Sequence, residues 1–284
     1  MGTRLIDSPQ RLTLEEGVNQ LDVWLAHGKL HVVGTDGPPR IEVRQVGRKG
    51  LTVTQENGNL AVRHDVPKGL WPLGLWWSFG RRSWTADVII AVPRTATASL
   101  TVIMGDVVAS ELRHGASLDV TSGSIAAMGL GGRVRTKTVS GSIEAVGVAG
   151  QLSMETVSGE ISLAGSSADR VEARTISGSI TCDLDNPRAW DVHLDTVSGS
   201  ITVRIPEDAD LTVDLSATSG SVTSAFGQVP TSRSVGLCAA TGRIGSGSGR
   251  LRAYAVSGSV ALLASPAGDR DDPANSAADE GLTA

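Results

Sequence analysis

The side chains able to do chemistry in this chain are scattered carboxylates, a few histidines, two cysteines and one cluster of tryptophans. Glu144 and Glu160 fall on neighbouring repeats, and Glu172, Asp195 and Asp214 make a looser outward group. Two carboxylates at the right separation hydrolyse a glycosidic bond, one as general acid and the other as base or nucleophile. No such pair here is set apart from basic neighbours, and no aromatic sugar platform lies beside it on the repeats. The group reads as a solvated charged face.

Other chemistries leave equally thin traces. His27 and His31 flank Gly28 without an evident third ligand, so no metal is expected there. The calcium-binding pattern GGxGxDxUx is absent, and no Ser/His/Asp arrangement emerges from spacing. Cys182 and Cys238 are the only cysteines and form no CxxC, so reduced thiols are expected. Cys182 falls on an inward ladder and reads as a buried structural thiol. No catalytic residue and no cofactor are expected.

The tryptophan cluster is the exception. KGLWPLGLWWSFGRRSW, residues 68–84, holds Trp71, Trp76, Trp77 and Trp84 with Phe79, Arg81 and Arg82. Pro72, Gly74 and Gly80 argue against a long helix, and the apolar run is too short to span a bilayer. Two readings follow. The rings fold over the open N-terminal end of a core, or they form an exposed patch. Such a patch would touch a partner protein or enter a membrane interface, with Arg81 and Arg82 near the head groups.

What must position these groups is a repeat. TKTVSGSIEAVG, METVSGEISLAG and ARTISGSITCDL are successive versions of one unit, and its central glycines are Gly105, Gly123, Gly141, Gly159, Gly178, Gly199, Gly220, Gly242 and Gly258. The steps are 18, 18, 18, 19, 21, 21, 22 and 16 residues. A period near twenty is the sign of a solenoid, whose units bury their apolar faces only by stacking. Seven, five and three residues before each Gly the side chains are apolar or Thr, as in Leu152, Met154 and Thr156. Two and four residues after it they are apolar again, as in Ile161 and Leu163. Both runs have period two, so each coil is two strands joined at a Ser-Gly corner. The residue two before the Gly is apolar as well (Val139, Val157, Ile176, Val197), and there the alternation slips and the wall turns. Four before the Gly, Lys137, Glu155, Arg174 and Asp195 alternate in sign, as opposite charges stacked in register would. Outward Ser179 and Thr181, Ser200 and Thr202, Ser221 and Thr223 form a polar strip on three consecutive coils.

Composition agrees with this reading. Hydrophobic content is 40% but aromatics only 3%, so the core is aliphatic, and Gly at 34 of 284 accompanies many turns. A net charge of −5 excludes a general basic field for nucleic acid. The N-terminus has no apolar leader region, which gives the expectation of a cytoplasmic chain, peripheral at most to a membrane.

The fold class expected is all-β: a β-solenoid, similar to a parallel β-helix, of about nine stacked coils of 18–22 residues over 96–264. Residues 1–95 form an irregular N-terminal β cap in which Leu21, Val23, Leu25, Gly28, Leu30 and Val32 fit the same template. Residues 265–284 read as a disordered acidic tail. No cap is evident after Leu251, Val260 and Leu262, so end-to-end self-association is expected.

The order of an L-x-V-x-x-x-x-G-x-L-x-V segment, a VIIAVP strand and then Val/Ile-Ser-Gly-Ser-Ile coils resembles the β-strand-repeat "putative adhesin" family of unknown function, related to toastrack-type domains. The resemblance covers roughly residues 15–264. It implies a bacterial protein linked to cell-envelope stress or surface attachment, and no agreed activity. The functional expectation is a non-catalytic scaffold or binding module whose tryptophan-rich loop contacts an unidentified protein or a membrane surface. A carbohydrate-binding or carbohydrate-active β-helix is the alternative.

Overall fold

Period-two burial recurs along almost every strand of the computed structural model, which describes residues 2–14, 17–64, 84–184, 191–234 and 236–266. The described residues contain no α-helix. The regular coils are strand pairs: β8 (Thr97–Ser110), β9 (Ala116–Ser122) with β10 (Ile125–Met128), β11 (Arg133–Ser140) with β12 (Ile143–Val146), β13 (Ala149–Ser158) with β14 (Ile161–Ala164), β15 (Ser167–Ser177) with β16 (Ile180–Asp183), and β17 (Asp191–Ser198) with β18 (Ile201–Pro206). Each strand pairs in parallel with its counterpart in the next coil, so Ile143 lies beside Ile161 and Ile161 beside Ile180. All three are fully buried. The chain is a β-solenoid, and its core is one aliphatic column shared by neighbouring coils.

The charge column confirms the register. Lys137 pairs in register with Glu155, Glu155 with Arg174, and Arg174 with Asp195. Lys137 Nζ lies 3.7 Å from Glu155, and Arg174 Nε 3.2 Å from Asp195.

Why the corner is glycine is a matter of space. A Cβ built on Gly159 would lie 1.9 Å from the carbonyl oxygen of Gly141, and one on Gly178 would lie 1.9 Å from that of Gly159. No side chain fits there. The column runs through Ala86, Gly28, Gly105, Gly123, Gly141, Gly159, Gly178, Gly199, Gly258 and Gly220. Ala86 is tolerated because it heads the column. Its neighbour on the outer side is Val46 of an antiparallel strand, not another corner. The carbonyls of the column also accept hydroxyls from buried threonines, such as Thr196 Oγ1 to Gly178 O at 3.2 Å.

Stacking order departs from chain order at both ends. At the first, β3 (Gln20–Thr35) is a full coil inserted between β8 on one side and β6 (Asn59–Arg63) with β7 (Thr85–Pro93) on the other. Leu21, Val23, Leu25, Leu30 and Val32 are all buried, as their fit to the template requires. Antiparallel strands then close this end: β5 (Leu51–Glu56) and β1 (Gly2–Ile6) beyond β6, β4 (Arg40–Val46) and β2 (Gln10–Thr13) beyond β7. At the other end, β23 (Gly249–Ser257) and β24 (Val260–Ser265) slip between the β17–β18 coil and the coil of β19 (Leu211–Ser219) and β20 (Val222–Ser224).

Two expectations are corrected here. Gly242 is not a corner, because it lies in β22 (Leu237–Ile244), which pairs antiparallel with β19 and carries β21 (Thr231–Ser234) on its far side. Leu251, Val260 and Leu262 are not at an open end, because their coil is internal. Strands β21 and β22, with Phe226, Val229 and Ile244 buried among the core, cover that end instead.

Candidate contact site at the end of the stack

The tryptophan-rich segment enters and leaves the outermost coil at its Ser-Gly corner position. β6 ends beside the first half of β3, β7 begins beside the second half, and Ala86 takes the place of the corner glycine. Of the predicted contact residues, Trp71, Trp76, Trp77, Phe79, Arg81 and Arg82 lie outside the described residues; Trp84 is within them.

The two roots of the insertion meet. His64 and Trp84 are edge to face, with ring centroids 6.0 Å apart and planes at 79°. Lys49 Nζ stands 5.8 Å from the Trp84 ring centre, within cation–π range. His64 is buried and fixed twice by β3: its N–H donates to Trp24 O at 3.1 Å, and its Nδ1 accepts from Ala26 N–H at 3.2 Å. That acceptor role makes Nδ1 the unprotonated nitrogen of the neutral ring. Its Nε2 has no partner among the described residues. Burial, and secondarily the proximity of His27, pushes the His64 pKa down to about 4, so the ring is neutral at physiological pH. Sequence spacing gives no sign of His64, since its role depends on β6 lying beside β3.

Of the outward carboxylates, Glu172 and Asp195 belong to an ion-pair ladder. Arg174 bridges Glu172 at 2.7 Å and Asp195 at 3.2 Å, and His193 Nε2 lies 3.0 Å from Asp195. Asp214 is not a neighbour of Asp195, because β23 runs between β17 and β19. Glu144 faces Ser162 on the next coil. The same intercalation splits the hydroxyl strip, so that Ser200 Oγ lies 3.1 Å from Ser259 Oγ and Ser221 is one coil further on. Cys182 is buried on the inward ladder, and burial pushes its thiol pKa up to about 12. Among the described residues no three His, Cys, Asp or Glu side chains are grouped to hold a metal.

One surface feature was not legible from the alternation. The apolar residues two before each corner turn outward: Val139 is 45% exposed, Val157 42%, Ile176 53%, Val197 48% and Val256 37%. They stack in successive coils as a ribbon one residue wide, flanked by the exposed serines that precede each corner.

The family comparison supports the architecture. The model of the family described as Toastrack DUF4097 matches residues 19–263. A solved structure from Bacteroides fragilis, described as a "putative adhesin", covers 92% of this chain and 97% of its own at 14% identity and a TM-score of 0.50. Another of the same description from Parabacteroides distasonis covers 92% and 97% at 11% identity and a TM-score of 0.33. No curated protein matches the chain.

Proposed function

The chain belongs to the Toastrack DUF4097 family, and from that premise we propose that it is a non-catalytic scaffold and binding module whose tryptophan-rich insertion contacts a membrane interface. The observation that carries this reading is the fixed root. His64 and Trp84 are held against β3 and Lys49 at one end of a stack that closes on both sides. A stiff stack can present such an insertion at little conformational cost. Four tryptophans beside Arg81 and Arg82 have the composition of an interfacial anchor, with aromatic rings at head-group depth and cations near anionic lipid. In this reading the protein is peripheral to a membrane surface and spans nothing.

Co-sedimentation with vesicles of mixed zwitterionic and anionic lipid tests it. The native chain is expected to pellet with vesicles, and the double variant Trp76→Ser, Trp77→Ser to stay in the supernatant with its circular dichroism unchanged. If the native chain ignores both anionic and zwitterionic vesicles, the membrane reading is wrong and a protein contact takes its place. If the double variant unfolds, the rings belong to the core.

A further inference from the structure

The exposed ribbon is long, regular and unexplained by the insertion, whose flanking residues His64 and Trp84 are at one end of the stack. Five β-branched side chains, Val139, Val157, Ile176, Val197 and Val256, stand in register on consecutive coils. At about 4.8 Å per coil the ribbon extends roughly 20 Å. Stacked, in-register β-branched side chains are the surfaces that interdigitate between paired sheets.

The neighbouring column says what would cover it. On the coils of Thr121, Val139, Val157, Ile176 and Val197, the residues four before the corner are Asp119, Lys137, Glu155, Arg174 and Asp195. The sign alternates at every step. A second copy turned over about an axis parallel to the strands keeps the columns facing each other and reverses the order of coils. If the axis passes through the Ile176 coil, Arg174 meets Arg174 and Glu155 meets Asp195. If it passes between the Val157 and Ile176 coils, Lys137 meets Asp195 and Glu155 meets Arg174. The charges therefore exclude any axis through a coil, and the rest of the surface chooses among the axes between coils: one step toward the Val139 coil sets Thr121 against Ile176, and one step the other way sets Glu155 against Tyr254.

We propose that two copies of this chain pair side by side through this ribbon, stacks antiparallel, with the two-fold axis between the coils of Val157 and Ile176. Val157 then packs on the partner's Ile176, and Val139 on the partner's Val197. The ribbon is narrow, so the flanking charged and serine columns must join it to approach the ~800 Å² per partner of a stable interface. The association is accordingly weak and concentration-dependent, and it is independent of the membrane reading.

Single-cysteine variants of the full chain test the register. Cys238→Ser removes the partly exposed native thiol; Cys182 is buried. In that background Val139→Cys and Val197→Cys, mixed and mildly oxidised, are expected to give several-fold more disulfide-linked dimer than either variant alone at the same total concentration. Equal yields in all three samples overturn the proposal. Sedimentation velocity provides the second measurement. The native chain is expected to shift toward twice the monomer mass as concentration rises to about 1 mM, the range of a weak complex, and Val157→Lys to abolish the shift with folding unchanged. A native chain that stays monomeric refutes the pairing. So does association that survives Val157→Lys but is lost in Ser232→Pro, which blocks the end strand β21, since the contact would then be end to end.

Discussion

Gly258 rests on Gly199, not on Gly220: an added Cβ on Gly258 would lie 1.8 Å from the Gly199 carbonyl oxygen, and Gly220 in turn sits at 1.8 Å on Gly258. The last coil of the chain is thus an interior layer. The first coil, β3, has the mirror position at the other end. The first and the last full coils in chain order are each held between two layers, and the ends of the stack are left to antiparallel strands that cannot extend a parallel ladder.

The corner column predicts a sharp contrast between glycines. Gly159→Ala drives a methyl group into the Gly141 carbonyl, at 1.9 Å, in backbone at φ 157°. The expected loss is about 3 kcal/mol or more. Gly227→Ala meets nothing within 4 Å and should stay within about 0.5 kcal/mol of the native chain. Urea unfolding of the two variants side by side checks this.

Ending the chain after Ser248 removes an interior layer, not a terminal one. β19 then loses its parallel partner along Leu211–Ala217. Hydrogen exchange should show protection lost over residues 211–217 and retained over 116–164, because coils exchange locally when a neighbour is missing. Unchanged protection of 211–217 would contradict the intercalated order.

The regular coils were legible in the sequence because the inward positions of each repeat are chemically monotonous. Every predicted inward residue from Ala98 to Ala217 is buried, and the alternation of Lys137, Glu155, Arg174 and Asp195 gave the register. The order of the outer layers was not legible. TSGSV at 218–222 and VSGSV at 256–260 both satisfy the same template, so either can stack on VSGSI at 197–201. One trace of the true order was present: the steps of 22 and 16 around Gly242 broke the period. The ribbon was hidden for another reason. Aliphatic residues beside a corner look like core until the turn is known to point them out.

Two buried threonines should respond oppositely to loss of the hydroxyl. Thr136 Oγ1 is buried with no hydrogen-bond partner among the described residues, whereas Thr196 Oγ1 donates to Gly178 O. Thr136→Val is expected to stabilise by about 1 kcal/mol, and Thr196→Val to be neutral or to cost about 1 kcal/mol. Thermal unfolding of both variants checks the pair.

The pH dependence has two separate windows. His64 has its folded pKa at about 4, below the ordinary 6.5, so the unfolded chain takes up the proton first. The stability it contributes is complete above about pH 6.5 and is lost as pH falls toward 4, by about 3 kcal/mol in all. Asp210 works lower. Hydrogen bonds from Ser246 and Ser248, with the Gly247 and Ser248 amides, hold its pKa at about 2, and they clamp the turn that leads into β23. Its contribution is present above about pH 4 and lost as pH falls toward 2. Stability against pH should flatten between 6.5 and 4 in His64→Leu, and between 4 and 2 in Asp210→Asn.

The stacking order itself is accessible to methyl nuclear Overhauser spectroscopy on Ile- and Val-labelled protein. Ile201 lies in register with Val260, and Val260 with Val222. Strong cross-peaks are predicted from Ile180 to Ile201 and from Ile201 to Val260, with none of comparable strength from Ile201 to Val222. A strong Ile201–Val222 cross-peak with Val260 remote from both would show coils piled in chain order and would contradict the intercalated solenoid.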